Sequence, residues 1–295
     1  MNELPPGPMP FRFLLDEAVW QARRHFRAIY PAVAIPVTIL ATTVATLQAL
    51  WFANLKENLG SLGTPFLNPA YLGLILVYSV LLMVAYNTLQ VAAFDAVAGR
   101  PVDVRRAWRF TLRGRVLGTL VLWYAATLAS MFCCCLPALA VVPLLIFVPA
   151  VMADEGHFGF RAVSRSARLT GHFPPGKWWE SPLVKALLLL FVGVLLVYLM
   201  SLLVSLPFQV PLYIGMLRKA AAGEDIVQGV SSWVWLQVPA QFLSSLASTA
   251  VYLYVCFGIA LLFHDTRGRR EGSDLRAEIE ALFPGPGPTP GESPS

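Results

Sequence analysis

The sequence predicts an all-α membrane protein, a polytopic bundle of six transmembrane helices in three repeated units of an amphipathic helix plus a helical hairpin. Three observations lead to this prediction: low charge, long uncharged stretches and an uneven distribution of basic residues. The 295 residues are 57% hydrophobic and only 13% charged, with a mean hydropathy of +0.63. Soluble domains carry about 25% charged residues. A soluble chain of this composition would therefore lack the polar surface needed to cover its core.

The transmembrane helices are predicted from the stretches that contain no Asp, Glu, Lys or Arg. These lie at 30–52, 68–94, 116–152, 186–217 and 226–264. A helix needs roughly 20 apolar residues to cross the hydrocarbon core, and an uninterrupted apolar run indicates a helix rather than a barrel strand. The stretch 116–152 is long enough for two spans, with a turn at "CCCLP". We therefore expect six spans, near 30–52, 70–94, 116–134, 137–153, 184–206 and 236–263.

The orientation of the bundle follows from its arginines and lysines. The segments 1–29, 95–115, 154–185 and 265–295 hold 19 of the 22 basic residues. Positive side chains are retained in the cytoplasm during insertion, so both termini are expected to be cytoplasmic, and the net charge of +5 needs no nucleic-acid partner. Residues 1–10 and the Pro- and Gly-rich tail 283–295 are expected to be disordered.

An internal repeat appears when two basic segments are compared at a fixed offset along the chain. Asp95 then falls on Asp154, and "RRAWRFT" falls on "SRSARLT", so that Thr111 corresponds to Thr170. A third copy begins at "EAVWQARRHF", and a third closing acid is Asp265. The predicted units are 11–95, 102–154 and 159–265, followed by a cytoplasmic helix at 271–282.

The basic segments are predicted to be amphipathic helices that lie in the membrane interface, with their arginines among lipid phosphates. The predicted partners are membrane lipids, including anionic ones. The candidate contacts with their headgroups are Arg106, Arg109, Arg165 and Arg168. The alternative is that these arginines only enforce the topology. Since each unit closes with an acid, Asp95, Asp154 and Asp265 are interpreted as structural, each pairing with a basic residue of the helix that follows.

Catalytic, metal and cofactor sites are not predicted. His264-Asp265 could be a metal-binding pair, but the four histidines show no paired-ligand spacing, and the repeat counterparts of His264 are Phe94 and Ala153, which cannot bind metal. The run "CCC" does not have zinc or redox spacing either.

Neutral polar residues are the remaining unusual feature of the spans. Those on spans two and six include Asn87, Gln90, Gln241 and Ser245. Hydrogen bonding between helices explains such residues adequately. The sharper alternative is a lipid-sized polar cavity between these two spans.

Three segments, "FLLDEAVWQARRHF", "FRAVSRSARLTGHF" and "LLFHDTRGRREGSDLRAEIEAL", resemble the membrane domain attached to some bacterial glycerophosphoryl diester phosphodiesterases. The resemblance covers about 11–282. It implies the six-helix architecture and a bacterial inner membrane. It implies no catalytic residue here, because the family's chemistry belongs to a separate soluble barrel.

The first functional hypothesis is a non-enzymatic scaffold or accessory subunit that binds lipid or a partner membrane protein through its basic cytoplasmic face. Leu275, Ile279 and Leu282 form an apolar stripe in the last predicted helix, suited to docking on the basic helices or on a partner. The second hypothesis is a transporter or translocation component for a lipid or other amphiphile. An intramembrane enzyme is a weaker third.

Overall fold

The computed structural model describes residues 9–53, 69–132, 136–171, 178–222 and 234–282. These residues are 90% helical and include no strand, which confirms the predicted all-α class. Their α-helices are α1 (Phe11–Ala53), α2 (Pro69–Val97), α3 (Val104–Thr111), α4 (Gly114–Phe132), α5 (Leu136–Leu144), α6 (Val148–Asp154), α7 (Phe160–Thr170), α8 (Pro182–Ala221) and α9 (Gln237–Leu282). Short 3-10 turns at Trp178–Glu180 and Val234–Leu236 precede α8 and α9.

Four of these helices are long and apolar enough to cross a membrane. Their candidate spans are Phe11–Leu50, Leu72–Val97, Pro182–Ala221 and Gln237–Arg270, which cover the predicted spans one, two, five and six. Burial differs sharply among them, because the most apolar window of α9 is 61% buried and that of α8 only 11%. Helix α9 is therefore the centre of the bundle, and α8 lies on its outside.

The core lies around α9, which packs on α1, α2 and α8. Leu253 and Phe257 of α9 are fully buried in a cluster with α1 and α2, while Phe263 joins a second cluster with α4, α6 and α7. Glycines allow α8 to approach closely. A Cβ added at Gly193 would lie 2.6 Å from the Val255 side chain, and one at Gly258 would lie 2.8 Å from Leu189.

The predicted span 137–153 is divided in two. Helix α5 ends at Leu144, a turn follows, and α6 begins at Val148. Pro143 and Pro149 flank this turn, and proline removes a helical donor and clashes with the preceding turn. Ser166 of α7 stabilises the break, since its hydroxyl donates to the Leu144 carbonyl at 2.7 Å and accepts from the Phe147 N–H at 3.2 Å. The six-span count stays a prediction.

Three other sequence-based boundaries need correction. Helix α8 does not end near 206, where the fifth span was expected to end, but continues through Pro207 and Pro211 to Ala221. Membrane helices tolerate proline where neighbouring groups satisfy the freed backbone. The segment 271–282 is not a separate helix but the end of α9. The basic segment that begins the chain is likewise continuous with α1.

At the N-terminus, Met9 is buried rather than disordered, and its carbonyl accepts a hydrogen bond from Lys185 Nζ at 2.8 Å. The other disorder predictions, for residues 1–8 and 283–295, and the "CCC" turn at 133–135 lie outside the described residues.

Candidate functional site

The acids that close the predicted repeat units lie at one end of the bundle and belong to ion pairs. Arg100 bridges two of them, with Nη1 3.6 Å from Asp95 Oδ1 and Nη2 2.5 Å from Asp154 Oδ1. Arg267 of α9 also pairs with Asp154. Asp265, at the same end of α9, pairs with Arg269 at 2.7 Å. We call this group, Asp95, Arg100, Asp154, Asp265, Arg267 and Arg269, the charged end.

Burial explains why each acid needs a cation. The side chains of Asp95, Asp154 and Asp265 are only 6%, 9% and 9% exposed. A buried carboxylate is costly unless it is paired and hydrogen-bonded. The expectation that each acid pairs with the helix that follows needs correction for all three acids. Asp95 pairs with Arg100 of the loop before α3, and Asp265 pairs with Arg269 of its own helix. The cations of Asp154 come from the loop after α2 and from α9.

Aromatic rings pack next to the charged end, and one of them, Phe94, is a counterpart of His264 in the predicted repeat. The imidazole of His264 stacks on Phe94 with centroids 4.9 Å apart and planes 10° apart. Phe263 contacts Phe94 and Phe147 edge-on, with centroids 5.5 Å away in both cases. His264 is thus held by ring packing. Within the described ranges, no group of three or more His, Cys, Asp or Glu side chains could hold a metal ion.

Helices α3 and α7 are amphipathic, as their sequences predict. Asp103 caps α3 by accepting from the Arg105 and Arg106 N–H groups. In both helices an apolar or hydroxyl-bearing face is buried, and the exposed face carries arginine; the exposed arginines are Arg105, Arg106, Arg109, Arg161 and Arg168. The charged end joins the end of α2 to the end of α6, so α3 and α7, which follow those helices, lie at the same end of the molecule.

Arg165 differs from the other three arginines predicted to contact lipid. Its Nε lies 2.9 Å from Glu155 Oε2 and its Nη2 lies 3.0 Å from Glu155 Oε1. This bidentate geometry is strong and fixes the guanidinium. We therefore correct the set of candidate headgroup contacts to Arg106, Arg109 and Arg168.

The paired threonines of the predicted repeat end these two helices. Thr111 is the last residue of α3 and Thr170 the last of α7, and both are fully buried. The Thr111 hydroxyl accepts a 2.9 Å hydrogen bond from Asn87 Nδ2, which fixes α3 to α2. The Thr170 hydroxyl donates to the Ser166 carbonyl of its own helix at 2.8 Å.

A cavity of about 250 Å³ is lined by two of the four neutral polar residues singled out from the sequence, Asn87 and Gln90. The rest of its lining comes from α2, α4 and Pro149 of α6, and consists of Ser79, Leu82, Met83, Tyr86, Trp123, Tyr124 and Pro149. Trp123 and Tyr124 look like ordinary span residues in the sequence, so the contribution of α4 was not predicted.

Gln241 and Ser245 do not line this cavity, so the predicted cavity between spans two and six needs correction. The rings of Tyr86 and Tyr252 contact each other across that interface, with centroids 4.4 Å apart and planes tilted by 41°. The buried hydroxyl of Ser245 donates to the Phe242 carbonyl at 2.9 Å. Neighbouring Ser244 shares a 2.6 Å hydrogen bond with Ser201 of α8. Ser244 therefore links α9 to α8, whereas the bond of Ser245 lies within α9.

Comparison of the chain with known protein families, with curated proteins and with solved structures gives no match. The fold therefore defines only the class: an all-helical protein whose described residues include four helices long and apolar enough to cross a membrane.

Proposed function

We propose that this protein is a non-enzymatic integral membrane scaffold or accessory subunit, which binds anionic lipid or a partner membrane protein through a basic cytoplasmic face. In this proposal α4 and the α5–α6 pair form the third and fourth of six spans. The charged end is cytoplasmic, as are both termini, and the membrane is a bacterial inner membrane. The resemblance to the membrane domain of glycerophosphoryl diester phosphodiesterases belongs to the same proposal.

The observation that carries the proposal is the exposure of arginine on two amphipathic helices at one end of the bundle. The acids at that end are already paired, with Arg100, Arg267 and Arg269. Arg106, Arg109 and Arg168, by contrast, are exposed. Guanidinium groups match phosphate geometry, and basic residues at a membrane surface attract anionic lipid by about 1 kcal/mol each.

The threefold repeat is supported by where its closing residues lie. Phe94-Asp95 and His264-Asp265 meet through the stacked rings, and Arg100 connects Asp95 to Asp154. Equivalent helix ends meeting at one place is the arrangement expected of a bundle built from repeated hairpins.

The cavity beside Asn87 and Gln90 favours a second candidate, a transporter or translocation component for a lipid or other amphiphile. Its volume of about 250 Å³ is slightly below the range of ordinary ligand pockets, about 300–1,000 Å³. It would hold one end of an amphiphile and leave the remainder in the bilayer.

The proposal is tested by native mass spectrometry of the full chain released from vesicles of phosphatidylethanolamine and phosphatidylglycerol. Replacing Arg106, Arg109 and Arg168 together by Gln should weaken phosphatidylglycerol retention roughly a hundredfold, at about 1 kcal/mol per arginine. The single substitution Arg109→Gln, which removes one charge as the control below does, should weaken phosphatidylglycerol retention about fivefold. Arg218→Gln, an exposed arginine at the far end of α8, should leave it unchanged.

Equal retention by the triple variant and the unaltered protein would contradict lipid binding by this face. A stoichiometric protein partner that co-purifies with the unaltered chain and is lost with the triple variant would identify the accessory-subunit role.

A further inference from the structure

A second cavity opens beside the charged end and shares no lining residue with the one between α2 and α4. It has a volume of about 490 Å³. Its lining comes from the start of α4, from the loop between α6 and α7, and from the start of α7. The lining residues are Arg115, Glu155, Gly156, His157, Phe158 and Arg161. We call this cavity the arginine cleft.

The arginine cleft carries an excess of positive charge. The side chain of Glu155 is only 8% exposed and is held by its bidentate contact with Arg165. His157 Nδ1 lies 3.6 Å from the same carboxylate. Arg115 and Arg161 are both exposed, and neither has an ion-pair partner among the described residues. Two guanidinium groups are therefore available to bind an anion.

A single hydroxyl joins the two chain segments that carry these arginines. Thr119 Oγ1 accepts from the Gly159 N–H at 2.8 Å and donates to the Arg115 carbonyl at 2.8 Å. Only this hydroxyl therefore separates the backbone at the start of α4 from the residue that precedes α7. Arg115 and Arg161 are each the second residue of their helix, and both line the cleft. Since a guanidinium carries five N–H donors at the end of a long side chain, the two groups can contact one anion together.

The start of α7 favours the same kind of ligand. Its N-cap residue is Gly159, which has no side chain to accept from the first N–H groups of the helix. Such groups have no partner within a helix and give its start a partial positive charge. Guanidinium groups and a helix start both match phosphate, and a phosphomonoester has about two negative charges at neutral pH, which balance Arg115 and Arg161. We infer that the arginine cleft binds a doubly charged phosphate group, such as inorganic phosphate or the headgroup of phosphatidic acid.

The test uses the full chain in phosphatidylcholine nanodiscs and two probes. Binding of inorganic phosphate from solution is measured by isothermal titration calorimetry, and retention of dioleoylphosphatidic acid from the nanodisc is measured by native mass spectrometry. Arg115→Gln and Arg161→Gln should each weaken binding of at least one probe about tenfold, the effect of losing one hydrogen bond to a charged group. Both arginines are exposed, so neither substitution disturbs the core. Arg113→Gln, at an exposed arginine whose guanidinium lies over the Phe110 ring outside the cleft, is the matched control and should change neither measurement.

A loss confined to phosphatidic acid would identify a lipid headgroup as the ligand, and a loss for inorganic phosphate would show that the phosphate group alone is sufficient. If neither probe binds the unaltered protein more tightly than the two variants, the inference is overturned. An equal loss in Arg113→Gln would also overturn it, because general surface charge would then explain the binding. The cleft does not include Arg106, Arg109 or Arg168, so the triple arginine variant should keep the binding that Arg115→Gln loses. Arg115→Gln should in turn keep its retention of phosphatidylglycerol, so the two sites fail separately.

Discussion

The charged end and the middle of the bundle hold helices together by different means, and α9 takes part in both. At the charged end, Arg100 joins the acids that end α2 and α6, and Arg267 of α9 pairs with the acid of α6. In the middle, α8 and α9 meet through Gly193 and Gly258, where side chains fit against bare backbone.

The difference follows from the surroundings of each region. Where helices leave the membrane, charged groups can be stabilised by partners and by water, so ion pairs can specify which helix ends meet. Within lipid there is no hydrophobic driving force between helices, and close packing of small residues takes over. The two kinds of contact therefore respond to different substitutions.

The largest effect is expected from breaking the charged end. Asp154→Asn removes the carboxylate shared by Arg100 and Arg267 and should lower the free energy of unfolding by about 3 kcal/mol. Losing one partner of a buried pair costs 3–5 kcal/mol, and both arginines are about a third exposed, which reduces the effect. The measurement is unfolding in mixed detergent micelles. Asp16→Asn, whose pair with Arg12 is exposed, should change stability by less than about 0.5 kcal/mol. Similar values for the two variants would contradict a structural role for Asp154.

An intermediate effect is expected in the middle of the bundle. Gly193→Ala places a methyl group 2.6 Å from Val255 Cγ2 and should lower the free energy of unfolding by about 2 kcal/mol, because overpacking costs 1–3 kcal/mol. Gly118→Ala, at a helical glycine with nothing within 4 Å, should be neutral or stabilising by up to about 1 kcal/mol. The same micelle unfolding assay compares them. A neutral Gly193→Ala would show that α8 does not pack closely on α9.

The smallest effect is expected at the two threonines that end α3 and α7. Thr111→Val leaves the Asn87 amide without its acceptor and should lower the free energy of unfolding by about 1 kcal/mol. Thr170→Val loses a bond mainly within its own helix and should cost less than about 0.5 kcal/mol. Hydrogen exchange of the α3 amides gives a second readout, which should rise only in Thr111→Val. Equal exchange in the two variants would contradict the fixing of α3 to α2.

Much of the fold could be predicted from the sequence, because lipid restricts the chain to long apolar helices. The four long spans follow from uncharged stretches, and the amphipathic form of α3 and α7 follows from the spacing of their arginines. The break before α6 was also encoded, since Pro143 and Pro149 flank it, but prolines in α8 give the same signal without a break. At the break before α6, the hydroxyl of Ser166 in the next helix, α7, bonds the backbone of Leu144 and Phe147, a contact that the sequence does not reveal.

The site was less predictable, because its contacts join distant parts of the chain. The acids could be located, but nothing in the sequence tells that Asp154 pairs with Arg100 and Arg267 rather than with Arg165. Asn87 and Gln90 were recognised as unusual polar residues. Their neighbours Trp123 and Tyr124 look like any aromatic residues of a span, so only the packing of α4 on α2 reveals the cavity.

Helix α9 continues well past the charged end. It runs without a break from Gln237 to Leu282, so the part beyond Asp265 is about 25 Å long. The start of this segment lies next to the ion pairs of the charged end. A change of about 10° in the tilt of α9 would move the end of the segment by about 4 Å. A small rearrangement of the spans would therefore displace any protein bound to that end.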